Sequence, residues 1–180
     1  GSNYNVFIGE AVSDASMNDA TFNTAIGYQT LTGLTTGDSN TVVGSQALYN
    51  VTTQSNIVAI GTDAGQVINH DDANGSVLIG YQSGVAITSG IGNVAIGYQA
   101  LDATATSDYN TAVGYQALSA LTLDGGTNNT AVGYQALDTD VNGAGSTAIG
   151  FHALHGQESS GGGEVQTGNC GVGYRAGRWN

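Results

Sequence analysis

The sequence predicts an all-β protein, a parallel β-solenoid that runs through one domain covering residues 1–180. Three observations carry this reading. One phrase recurs ten times at a nearly fixed spacing, β-branched residues fill it in a chain without proline, and the stretches between copies are rich in Asn, Asp, Gly and Ser.

The phrase is clearest at Asn23-Thr-Ala-Ile-Gly-Tyr-Gln-Thr-Leu31, Asn93–Leu101, Asn110–Leu118 and Asn129–Leu137. Looser copies start at Asn5, Asn40, Asn56, Ser76, Ser146 and Asn169. Their central glycines are Gly9, Gly27, Gly44, Gly61, Gly80, Gly97, Gly114, Gly133, Gly150 and Gly173, separated by 17 to 19 residues except for a last interval of 23. That period is too short for helical repeats. Each unit reads as a short strand (Thr-Ala-Val-Gly), a bend at the glycine, a second short strand (Tyr-Gln-Ala-Leu) and a loop. Length varies only in the loops, at 66–75, 102–108, 119–128, 138–145 and 155–168. At about 4.8 Å between stacked strands, the nine steps between ten coils make a rod of roughly 43 Å.

The two-residue strand period assigns faces. The slot before alanine (Thr24, Val58, Val94, Thr111 and equivalents) and the Ile/Val slot two residues later (Ile26, Ile60, Ile96, Val113) are expected to line the coil's own core. The alanines Ala25, Ala59, Ala95, Ala112, Ala131 and Ala148 are then expected on the opposite face, with Phe7, Val42 and Leu78 as larger members of their slot. Both faces are apolar, and strands apolar on both faces are buried on both. A narrow coil has one interior, so a second copy is expected to cover the other side.

Composition limits function. A formal net charge of −12, from 14 acidic residues against two basic ones, opposes binding to nucleic acid or to an anionic membrane surface. No apolar run approaches the roughly 20 residues of a membrane span. Gly1-Ser2 reads as a cloning remnant, so any upstream targeting segment lies outside the sequence. A single cysteine, Cys170, allows no intrachain disulfide. No nucleophile elbow, phosphate loop or metalloprotease pattern occurs and lysine is absent, so no enzyme and no cofactor are expected.

The phrase Asn-Thr/Val-Ala-Ile/Val-Gly, once per coil, resembles the head repeats of trimeric autotransporter adhesins. Its Gly-Tyr-Gln-Ala-Leu extension resembles repeats of phage tail fibres and other secreted bacterial trimeric fibres. The resemblance spans essentially the whole chain. It implies a left-handed β-roll, three chains side by side as a homotrimer with the alanine faces toward the axis, and an extracellular location on a bacterial surface or virion. It further implies attachment to a cell or host surface through a glycan or protein receptor. The coils are longer than usual for the adhesin heads, and residues 1–180 include no neck or heptad stalk. An ice-binding solenoid and a purely structural spacer are the alternatives, although Phe7, Val42 and Leu78 would roughen an ice-binding alanine face.

Several side chains are candidates for contact. Tyr28, Tyr81, Tyr98, Tyr115, Tyr134, Phe151 and Tyr174 share one slot, and an aromatic ladder there either stacks on sugar rings or packs the rod. Gln29, Gln46, Gln82, Gln99, Gln116 and Gln135 form the next slot and are expected to hydrogen-bond along a column. His70, His152 and His155 lack metal-ligand spacing, and Cys170 is expected to be a buried small hydrophobe. The acidic loop residues Asp71, Asp72, Asp102, Asp108, Asp124, Asp138 and Asp140 show no calcium-loop pattern and are expected to solvate the rod. The C-terminal coil, 155–180, is atypical: it holds the longest loop, both arginines (Arg175 and Arg178) and the only tryptophan (Trp179). Arg175, Arg178 and Trp179 are therefore the expected receptor-binding set, against the alternative of a cap.

Overall fold

The computed structural model describes residues 3–13, 15, 17–71, 73–121, 126–139, 143–156, 165–166 and 168–177. Its strands, in chain order, are β1 (Val6–Ile8), β2 (Thr24–Ile26), β3 (Thr41–Val43), β4 (Val58–Ile60), β5 (Val77–Ile79), β6 (Val94–Ile96), β7 (Thr111–Val113), β8 (Thr130–Val132), β9 (Gly143–Ala144), β10 (Thr147–Ile149), β11 (Val165–Gln166) and β12 (Cys170–Val172). All but β9 and β11 stack in order into one ten-stranded parallel sheet. The register is unbroken: every Thr/Val lies on a Thr/Val slot and every Ala on the Ala slot, as in Thr111↔Thr130 and Ala112↔Ala131. The 155–168 insertion contributes β11, which pairs in parallel with β9. The chain is thus a parallel β-solenoid, and each strand with its flanking residues is one rung.

The expected second strand is a run of turns. Gln and Leu of the phrase take left-handed backbone, as at Gln116 (φ 50) and Leu118 (φ 55), so strand geometry is lost there. The conformation costs about 1–2 kcal/mol per residue. It is held because the two amides point in opposite directions: Gln116 N donates to Tyr98 O of the preceding rung, and Leu118 N to Ala136 O of the following one. The leucine side chain is delivered into the coil, where Leu31, Leu48, Leu101, Leu118 and Leu137 are fully buried.

This delivery inverts the expected faces. Ala25, Ala59, Ala95, Ala112, Ala131 and Ala148 are not trimer-facing; each is 0% exposed within a single chain. They are small because the opposing wall fills the lumen with leucine. The exception shows the rule. Where the Leu slot holds Gly65 and Gly84, the Ala slot between holds Leu78, and a Cβ on either glycine would strike a Leu78 methyl (2.6 and 2.8 Å). The Thr/Val and Ile/Val slots therefore point out of the coil. Cys170, in the Thr/Val slot, is exposed rather than buried.

The phrase-opening asparagine, whose role the sequence reading left unassigned, sets this parity. Asn110 is buried, accepts from Asn129 N through Oδ1 (2.9 Å) and donates through Nδ2 to Gly126 O (2.9 Å). Its own N–H donates to Asn93 Oδ1 (2.9 Å). The side chain must face the lumen to do so, and alanine two residues later shares its face. Ile57 and Ser76 occupy this slot in the fourth and fifth rungs, so the copy starting at Asn56 sits one residue out of frame.

Candidate functional site: the outward face of the sheet

Four columns make up the outer surface over the sheet. In the centre are the Thr/Val and Ile/Val slots, all β-branched except Cys170. No member of the Ile/Val column is buried in a single chain: Val43, Ile79, Ile96, Val113 and Val132 are half-buried, and Ile8, Ile26, Ile60, Ile149 and Val172 are exposed, up to 65% at Val172. One border is the Tyr slot, which follows the glycine bend. The other is the residue before the asparagine slot: Tyr4, Phe22, Ser39, Asn56, Gly75, Gly92, Tyr109, Asn128, Gly145 and Gly168, every one with φ between 52° and 73°. That left-handed corner turns the chain from loop into strand. Across all four columns Glu10 is the only charged residue, in a chain carrying −12. The face is thus apolar and almost uncharged.

The glycine column fixes the bend. Gly114 has φ +138, outside the range of L side chains, and a Cβ there would run into the carbonyl of Gly133. Nearly every rung repeats this contact, so the bend and the outer border it creates stay in line along the rod.

The aromatic ladder stacks upon itself. Tyr81, Tyr98, Tyr115, Tyr134, Phe151 and Tyr174 follow one another with ring centroids 5.0–5.3 Å apart and planes within 19° of parallel. Each interior ring turns its faces to its neighbours, which leaves edges and hydroxyls to solvent. Sugar rings, which stack on aromatic faces, have no open face along the interior of this ladder. Tyr28 lies between Glu10 and Ser45 in the column and stands apart from it.

Beside it the glutamines bond along the rod as expected: Gln46 to Gln29 (2.9 Å), Gln99 to Gln82 (3.1 Å), Gln116 to Gln99 (3.1 Å) and Gln135 to Gln116 (3.0 Å), Nε2 donating to Oε1 each time. Asp63 replaces one glutamine and has no amide to donate. Gln66 fills the gap, donating to both Gln46 Oε1 and Asp63 Oδ1 (3.2 Å each).

The remaining candidates are scattered. Arg175 occupies the last rung of the Gln column, exposed, its guanidinium 5.1 Å from the centre of the Tyr174 ring. Arg178 and Trp179 lie outside the described residues. The rings of His152 and His155 stack at 4.6 Å, and His155 Nδ1 is 3.5 Å from Asp138 Oδ1. Among the described residues no group of three or more His, Cys, Asp or Glu is placed to hold a metal. Asp71 accepts from Thr53 Oγ1 (2.7 Å) and Asp108 from Ile91 N (2.8 Å), so these two brace successive loops. Burial pushes the Asp102 carboxyl above its usual range, opposed by its backbone hydrogen bond. Asp72, Asp124 and Asp140 lie outside the described residues. No helix among the described residues is long and apolar enough to cross a membrane. Comparison with family models, curated proteins and solved structures found no match to this chain.

Proposed function

We propose that this chain is a segment of a trimeric extracellular fibre that attaches to, or holds an attachment module near, a cell or host surface. The carrying observation is the outward Ile/Val column, accessible in a single chain and flanked by a nearly uncharged border on each side. Leaving such a stripe in water is unfavourable by about 25 cal/mol per Å². Association of copies through it removes that cost, and the repeat's resemblance to adhesin and tail-fibre repeats points to three. The face toward the axis is then the Thr/Val and Ile/Val face, with alanine inside each coil. Arg175, set on Tyr174, is the described member of the C-terminal set that offers a cation to an acidic glycan or protein.

The test is solution mass together with binding. Light scattering is expected to give three times 18.0 kDa. A stable monomer at micromolar concentration overturns the reading. Cell or glycan-array binding that drops for Arg175→Ala/Arg178→Ala/Trp179→Ala supports attachment through the C-terminal coil. Binding by neither protein makes the segment a spacer.

One observation favours a second reading. Phe7, Val42 and Leu78 turn inward, so nothing roughens the outward β-branched face, and a flat Thr/Val surface of this kind suits ordering water at ice. A monomer that shows thermal hysteresis would select it over the fibre.

A further inference from the structure

We propose that copies of this chain meet parallel and in rung register, the aromatic border of one seated on the glycine-rich border of the next. This rests on the assembly reading above and adds which edges touch. The two borders of the outward face differ in bulk at the same rung. Tyr81 stands opposite Gly75, Phe151 opposite Gly145, and Tyr174 opposite Gly168. These three glycines are exposed, so their rungs are open at that border. Tyr98 stands opposite Gly92, which the ring of Tyr109 partly covers. Tyr109 is the one aromatic on this border from the fifth rung to the tenth. At the N-terminal end the border carries Tyr4 and Phe22, stacked on each other at 5.2 Å, and the opposite slot holds Glu10 and Tyr28.

Symmetry turns this difference into a contact. Rotation about an axis parallel to the rods keeps equal rungs at equal height and brings unlike borders together. An antiparallel pair would instead set like borders side by side, ring edges against ring edges. The bulk pattern fits the first arrangement at the fifth, sixth, ninth and tenth rungs, while Tyr109 and Asn128 fill the border at the seventh and eighth. Charge permits it as well, because two −12 chains can approach closely only where neither presents carboxylates, and Glu10 is the sole one on this face. About 43 Å of stacked strands by ~15 Å of width gives on the order of 650 Å² per copy, which a closed trimer divides between two neighbours, each copy engaging both of its borders.

Cysteine pairing tests the borders directly. In a Cys170→Ser background, Gly75→Cys and Tyr81→Cys are made singly and together. A Cβ on Gly75 meets nothing within 4 Å, and Tyr81 is 44% exposed. Melting curves under reductant establish that each variant folds. After mild oxidation the double variant is expected to run as a covalently closed trimer, with each single variant remaining uncrosslinked. Covalent dimers of Tyr81→Cys alone would mean that aromatic borders meet each other, and overturn the proposal. A trimer by light scattering in which the double variant fails to crosslink overturns it equally, while leaving the assembly reading intact. Closed dimers of the double variant would keep the border pairing and overturn the number three. A monomeric unmodified chain would overturn the assembly reading itself.

Discussion

At the scale of single residues, backbone and hydrogen-bond demands outweigh side-chain chemistry. Gly114 and Gly173 separate two costs. Both have φ above +120°, but a Cβ on Gly114 runs into Gly133 while one on Gly173 meets nothing within 4 Å. Gly173→Ala is expected to cost ~1–3 kcal/mol for the backbone alone, and Gly114→Ala clearly more, read by denaturant unfolding. Asn110 is graded in the same way. Asn110→Ala strands Asn129 N and Gly126 O in the interior and is expected to cost ~2–6 kcal/mol, since each unpaired buried group costs ~1–3. Asn110→Ser should cost less, because Ser76 accepts from Asn93 N in the same slot. Equal losses for Ser and Ala would mean that the amide itself contributes nothing. Asp102 gives a pH signature. Burial holds its folded carboxyl above the ordinary 3.8, so folding favours its protonated form. Its contribution is fully present below 3.8 and lost as pH rises through the folded value. Asp102→Asn is therefore expected to raise the melting temperature at pH 7 and to lose that advantage below pH 3.8.

At the scale of an element, each rung is a volume shared between its Ala slot and the Leu slots around it. Leu78→Ala alone is expected to cost ~2–5 kcal/mol by opening a cavity beside Gly65 and Gly84. Adding Gly84→Leu should recover part of that loss. Gly84 has φ 58 and Leu101 in the equivalent slot has φ 53, so the backbone already accepts leucine. Gly84→Leu in the unmodified chain should instead destabilise, because Leu78 and Ile87 occupy the space. A double variant no more stable than Leu78→Ala would show that the two slots do not share volume. This exchange was written in the sequence, since Leu departs from both neighbouring copies where it appears at 78. It becomes readable only once both slots are known to face the lumen.

At the scale of the whole molecule, inward and outward substitutions should fail differently. Ala112→Asp buries a carboxylate inside a coil that has no cation nearby, so it should unfold the chain. Unpaired buried charge costs several kcal/mol, ~3–5 where a partner is lost. Ile96→Asp faces outward and should leave the β-sheet circular dichroism signal intact while splitting the proposed trimer. The measurement pairs circular dichroism with light scattering on each variant. An assembled, folded Ile96→Asp protein would move the interface elsewhere on the rod.

The sequence by itself determined the repeat, the strand in each copy, the parallel in-register stacking, the glycine bend and the glutamine column. Each follows from local periodicity: identical residues recur at one spacing, and stacked identical rungs satisfy one another's backbone. What only the tertiary structure decided was which side of the strand is inside. A period of two divides Thr, Ala and Ile into two faces without saying which face is buried. Size alone favours burying the larger residues, and that leads to the wrong side. The choice was made by partners distant along the chain. The glycine bend ends the strand, and left-handed residues at Gln and Leu swing leucine into the lumen. Asparagine bonds across it, and little room remains beyond a methyl group. Large β-branched side chains are thereby turned outward, where an isolated rod has nothing to cover them.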